Sequence, residues 1–244
     1  MNSGLYAACA GLLARTQALE VAANNLANVN TNGYKAQLAS FHSVLATANE
    51  NVSGNELSLA VNDFGVLGEN RTSLAQGSLE HTGSDLDFAI QGEGWFAVDS
   101  SAGRRYTRNG NFHVDRKGQL ATADGDLVAG ANGPILVPPG TLSVSKDGTI
   151  SVDGALAGQL RIVNLAPGST VTAVGGANFS APVGSERPSS GSIVQGSLEG
   201  SNVNGVTAAV ELVALQRHAD MLQQALTSFH SNFNRIAAQD LSRI

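Results

Sequence analysis

Two carboxylates and five histidines are the residues whose types and spacing come nearest to suggesting chemistry. Asp85 and Asp87, in "DLD", fall on the same side of an extended chain. That spacing suits a calcium ion or a general acid–base pair, but both need a further partner. With no third ligand in reach of the motif, the capping of a turn is the preferred reading. His42, His81, His113, His218 and His230 show no metal-ligand spacing, and none has a cysteine beside it. "GEGW" (Gly92–Trp95) lacks the third glycine and the following helix of a dinucleotide site. The chain carries no P-loop, no nucleophile elbow and no Cys–His constellation, so no catalytic residue, cofactor or metal is expected. The single cysteine, Cys9, sits among alanines and reads as a small packing residue.

Composition narrows the classes further. The net charge is −6, and no lysine or arginine cluster offers a track for phosphates, which argues against nucleic acid as a partner. Arg104, Arg105 and Arg108 form the densest basic spot and read as a solvated strand edge. No apolar run reaches membrane-spanning length. The opening "MNSGLYAACAGLLAR" has no positive n-region, and Arg15 closes its short apolar run, so it reads as mature protein and not as a cleaved signal peptide. Aromatic residues make up 5% and charged residues 14% of the chain, with 28 glycines. This mixture suggests many turns and interfaces built from small residues.

The ends of the chain are helical. Leu5, Leu12, Leu19 and Leu26 recur every seven residues, a narrow stripe of coiled-coil type. Near the other end, Leu212, Leu215, Ala219, Leu222, Leu226, Phe229, Phe233 and Ile236 alternate three and four apart. Val206, Val210 and Val213 lie on a second face, so one partner helix cannot cover this segment. "SNVNG" (Ser201–Gly205) supplies N-cap candidates before it. Two such stripes on one chain call for further copies of the same or related chains, and head-to-tail contacts that do not close build a tube or filament.

The middle is β structure. "WFAV" (Trp95–Val98), "FHV" (Phe112–Val114), "PILV" (Pro134–Val137), "LSVS" (Leu142–Ser145), "TISV" (Thr149–Val152) and "QLRIVNL" (Gln159–Leu165) read as short strands. Asn109-Gly110, Lys117-Gly118, Asp124-Gly125, Asn132-Gly133, Asp147-Gly148 and Asp153-Gly154 read as tight turns between them. Residues 166–190 read as loop or extended edge. "QGSLE" occurs at Gln76–Glu80 and again at Gln195–Glu199. Two copies flanking the β zone suggest extended segments running side by side where the chain enters and leaves it.

One stretch resists this description. "LEVAANNLANVNTNGYKA" (Leu19–Ala36) runs a helix into Asn24, Asn25, Asn28, Asn30 and Asn32, although asparagine disfavours helix interiors. Within it, "ANNLANVNTNGYK" (Ala23–Lys35) closely resembles the signature of bacterial flagellar basal-body rod and hook proteins. "LEGSNVNGV" (Leu198–Val206) resembles the opening of their C-terminal helix. "FAIQGEGWFAV" (Phe88–Val98) and "YTRNGNFHVDRKGQL" (Tyr106–Leu120) are similar to the start of their β domain. The resemblance covers nearly the whole chain in the expected order. Within the family, the length, "GPILVPPGTLSV" (Gly133–Val144) and "GSLEGSNVN" (Gly196–Asn204) lean toward proximal rod members, with distal rod members second and the longer hook proteins disfavoured.

The resemblance implies an α+β fold. N- and C-terminal helices would form a coiled-coil layer on assembly, around a central antiparallel all-β domain with extended connectors. The corresponding divisions are residues 1–35 plus 203–244, then 36–80 plus 190–202, then 81–189. It implies a structural, torque-transmitting subunit in the periplasmic rod, exported without a cleaved signal peptide by the flagellar type III apparatus. Partners would be copies of itself, other rod and hook subunits, and the surrounding rings. The amides can donate and accept at once, so Asn24, Asn25 and Asn28 are expected at subunit contacts. Asn32 and Gly33 are expected to stop the helix, and Tyr34, Asn202 and Asn204 complete the set of interface candidates. A reading of another class is an exported glycan-binding module or cell-wall hydrolase docked on the rod. It would draw on Asp85, Asp87, Trp95 and Tyr106.

Overall fold

The computed structural model describes residues 2–39, 41–42, 66–67, 71–166 and 168–241; the side chains of 2–10, 41–42, 66–67, 229–230 and 232–241 lie outside that description. The chain divides into two compact units: one holds residues 1–26, 37–71 and 204–244, the other residues 27–36 and 72–203.

The first unit contains two helices that pack together, α1 (Asn2–Ala27) and α2 (Gly205–Leu241). Asn204 caps α2: its Oδ1 accepts the Thr207 N–H at 3.0 Å, and its carbonyl takes the Ala208 N–H at 2.9 Å. Leu212, Leu215, Ala219, Leu222 and Leu226 are the partly buried residues of the following turns, and the positions between them are exposed. The heptad stripe is therefore the face this helix turns inward. On α1 the fully buried residues are smaller than the leucine stripe predicts. Gly11, Ala14, Ala18, Val21 and Ala22 are buried, while Leu12, Leu19 and Leu26 are only partly so. The most deeply buried face of α1 is therefore built from small residues, with the leucines at its margins.

The second unit is antiparallel β structure throughout its described strand pairs. Among the described residues its largest sheet has ten strands. The strand Trp95–Ser100 is the axis of that sheet. It pairs with Gly103–Thr107 along one edge, and with Leu127–Gly130 and Ile162–Leu165 along the other. Side chains alternate along a strand, and here both faces are buried. Phe96 and Val98 join a core with Phe88, Ile90, Phe112, Leu120, Val128 and Ile150. Trp95 and Ala97 join a second core with Tyr106, Ala129, Val163 and Phe179. That is why "WFAV" is apolar without interruption. Ring edges lock the packing: Phe96 meets Phe112 at 5.2 Å between centroids, and Trp95 meets Phe179 at 5.0 Å. Residues 166–190 do supply an edge, through strands Thr172–Gly175, Asn178–Ser180 and Glu186–Pro188. Leu142–Val144, Thr149–Val152 and Ala155–Gln159 form a separate three-stranded sheet.

Five of the six predicted turn glycines, at 118, 125, 133, 148 and 154, have positive φ. Gly110 does not. It is demanded by proximity, because a Cβ there would lie 1.6 Å from the Phe88 carbonyl oxygen. Gly110→Ala is accordingly expected to cost about 3 kcal/mol or more in equilibrium unfolding, from backbone collision. Gly125→Ala, in open space at φ +86, is expected to cost about 1–2 kcal/mol from conformation alone.

Candidate functional site

The two "QGSLE" copies lie side by side. Leu79–His81 and Ser197–Glu199 form an antiparallel pair, with Leu198 opposite Glu80. The Gly200 N–H donates to the Ser78 carbonyl at 2.8 Å, and a Cβ on Gly77 would strike the Gly200 oxygen at 2.1 Å. The pair ends at a buried and heavily bonded carboxylate.

That carboxylate is Glu199, which is fully buried, with Lys35 and Arg108 buried beside it at 1% and 5% exposure. Glu199 Oε1 accepts from Lys35 Nζ at 2.5 Å and from the Gly77 N–H at 3.0 Å. Its Oε2 accepts from Arg108 Nη1 at 3.0 Å. Its main-chain oxygen takes the Gly33 N–H at 2.7 Å. Lys35 Nζ also donates to the Ala75 carbonyl at 2.7 Å. Arg108 reaches the Gly92 carbonyl at 2.8 Å and lies 5.6 Å from the centre of the Trp95 ring. The ring face adds a cation–π contact to the guanidinium, whose buried Nε has no hydrogen-bond partner among the described residues. Burial lowers the Lys35 pKa, and Arg108 lowers it further, while the bond and charge of Glu199 oppose both. Burial likewise lowers Arg108, against the pull of Glu199.

Residues 33–36 lie on this hub as a strap. Gly33, at φ +71, sits so close to Arg108 and Asn109 that a Cβ would meet the Asn109 nitrogen at 2.2 Å. Asn202 clamps the strap from the other side. Its Oδ1 accepts the Ala36 N–H at 2.7 Å, and its Nδ2 donates to the carbonyls of Ser73 and Ala75 at 3.0 and 2.9 Å. Its own N–H donates to the Tyr34 carbonyl at 3.3 Å. Tyr34 is buried, which raises its phenol pKa.

The asparagines divide by task. Asn25 spends its amide inside the helical unit, on the Gln37 N–H at 2.8 Å and the Gln37 carbonyl at 2.7 Å. Asn28 Oδ1 accepts from Thr31 Oγ1 at 3.1 Å, and its carbonyl takes the Thr31 N–H at 3.1 Å. The helix thus ends after Ala27, before the expected stop at Asn32 and Gly33, and a turn carries the chain to the strap. Asn24 is exposed and Asn32 partly buried. The side chains of Leu5, Phe229, Phe233 and Ile236 lie outside the described residues.

Arg108 overturns the reading of a solvated basic edge. Arg104 and Arg105 are on that edge, paired with Asp99 and Asp126, but Arg108 is part of the buried hub. Asp87 is a turn residue: its Oδ2 accepts from Thr82 Oγ1 at 2.7 Å and its Oδ1 from Asn111 Nδ2 at 2.8 Å. Trp95 and Tyr106 are packed into the second core, with 4% exposure each, so neither offers a ring for stacking on a glycan. Tyr106 Oη donates to Glu186 at 2.9 Å, and Arg161 pairs with the same carboxylate. Burial and then that bond push the Tyr106 phenol up to about 12.

Residues 5–35 match the family model described as flagella basal body rod protein. Residues 89–152 match the flagellar hook protein FlgE/F/G D1 domain, and residues 194–239 match the flagellar basal body rod FlgEFG protein C-terminal. The flagellar basal-body rod protein FlgF of Mesorhizobium japonicum is 34% identical, over 89% of each chain. The FlgF of Salmonella typhimurium is also 34% identical, over 96% of this chain and 97% of its own. The rod protein FlgG of Agrobacterium fabrum is 33% identical, over 92% and 94%.

Two outcomes check this geometry. Glu199→Ala strands two buried cations and is expected to cost about 3–5 kcal/mol in chemical denaturation. Tyr106 has its folded pKa raised to about 12 from an ordinary 10.0. Between those values the unfolded chain has already released this proton, so the residue's contribution, complete below pH 10, is lost as pH rises toward 12. Tyr106→Phe removes that part of the alkaline slope in a pH series of melting curves.

Proposed function

The chain belongs to the flagellar basal-body rod protein family and is a structural, non-enzymatic subunit of that rod, and from this premise we propose that it occupies the proximal rod and polymerises through its terminal helices. The observation that carries the proposal is on α2. Opposite the partly buried heptad stripe, Val206, Val210, Val213 and Met221 stand 77%, 65%, 49% and 56% exposed. Apolar side chains of this size cost about 1.5–3 kcal/mol each when left in water. Contact with other rod subunits covers them. The proximal assignment is supported by the FlgF name carried by the relatives from Mesorhizobium, Salmonella, Escherichia and Caulobacter.

In this reading copies of the chain and other rod and hook subunits are the partners of the helices. The type III apparatus delivers the chain, and ring proteins surround the shaft. The tube transmits torque and provides the export channel. Its subunit contacts draw on Leu5, Leu12, Leu19 and Leu26 of α1 and on Leu212, Leu215, Leu222, Leu226, Phe229, Phe233 and Ile236 of α2. Asn24, Asn25, Asn28 and Asn32 are the amides proposed for sideways bonds to neighbouring subunits.

Val210→Asp tests the proposal. The purified variant is expected to keep the wild-type circular dichroism and melting point, yet to be absent from detergent-washed basal bodies, and its cells are expected not to swim. Normal incorporation and swimming would remove the exposed face from the assembly.

A further inference from the structure

We propose that residues 33–36 are a latch that seats on an already folded β unit, with Glu199 as the residue that positions it. The latch lets the segment release and reseat while the β cores stay intact.

Three observations carry this. First, neither hydrophobic core of the β unit includes any residue of 27–36. The cores are complete without the segment. Second, apart from the buried Tyr34, the segment is held by polar contacts. The Gly33 N–H donates to the Glu199 oxygen, Lys35 Nζ to Glu199 and Ala75, the Ala36 N–H to Asn202, and the Ser73 N–H to the Ala36 oxygen at 2.8 Å. Third, the seat holds two cations against one carboxylate. Burial and Arg108 both disfavour the Lys35 ammonium, and Glu199 alone among the charged groups acting on it favours it. The Lys35 charge is therefore balanced in the seat by one carboxylate, and opening returns Lys35 to water at no loss of apolar packing in either core. Segments attached in this manner open as separate units, below the free energy of global unfolding. The inference concerns the single chain and does not depend on which subunits the helices meet.

The acceptor's position adds a condition. Glu199 comes from the second "QGSLE" strand, paired with the first. The seat exists only once both strands are in register, so the latch closes after the β unit and not before it.

Residue-resolved amide hydrogen exchange on the full chain tests the latch. The probes are the Gly33 amide in the latch and the Ser73 amide bonded to it, and Phe88 and Leu120 in the core. The core amides donate to Gly110 and Ile135, each at 3.0 Å. In the wild type the latch amides are expected to exchange at least tenfold faster than the core amides. Glu199→Gln is expected to accelerate Gly33 and Ser73 by a further tenfold or more and to leave Phe88 and Leu120 within twofold. Adding Lys35→Met removes the stranded ammonium and is expected to recover at least threefold of the lost protection. Equal exchange of latch and core amides in the wild type would overturn the proposal, and so would parallel acceleration of both sets in Glu199→Gln. If Glu199→Gln does not fold, the wild-type comparison alone decides.

Discussion

One buried carboxylate holds together chain segments that are far apart in sequence. Glu199 takes up Lys35 and Arg108, and its main chain takes up Gly33. Each cation out of water carries a heavy desolvation cost, which a well-aligned partner must offset. The surroundings follow from that need. Gly77 gives its N–H to the same carboxylate, Ala75 gives its carbonyl to the lysine, and the Trp95 ring covers the guanidinium.

The constraint reaches function through chain order. Residue 36 is the last of the strap before the chain passes to the helical unit, and residue 203 is the last of the β unit before α2. Asn202 binds the main chain of two separate stretches, at Tyr34 and Ala36 and at Ser73 and Ala75. A shaft subunit has to carry load between its parts, and these bonds tie the chain ends of the β unit to one another. Hydrogen bonds to charged groups in a dry interior are strong and geometrically strict, which suits a joint better than a broad, yielding apolar contact.

Much of the architecture was legible in the sequence, for reasons that differ by element. Leu212, Leu215, Leu222 and Leu226 were visible because a helical period leaves a stripe, and burial follows that stripe. The paired "QGSLE" strands were visible because a repeated motif draws attention whatever its cause. On α1 the same period drew the eye to leucines, while the deepest burial belongs to glycine, alanine and valine, whose small size leaves a weak pattern. The hub was hidden. Lys35 and Arg108 look like ordinary surface cations, and Glu199 is one acid among many. Their partnership spans 164 and 91 residues of sequence, and no local spacing announces it. The bond from Asn25 to its own chain twelve residues on was hidden for a related reason, since nothing in the local spacing marks Gln37 as its partner.

The central claim is that Lys35 and Glu199 act as a unit. A double-mutant cycle on the full chain measures this directly, using Lys35→Met, Glu199→Gln and the pair in equilibrium denaturation. The account predicts strong coupling, about 1.5 kcal/mol or more, with the double variant more stable than the two single losses would add up to. Additivity to within about 0.5 kcal/mol would contradict it and reduce the buried hub to independent contacts.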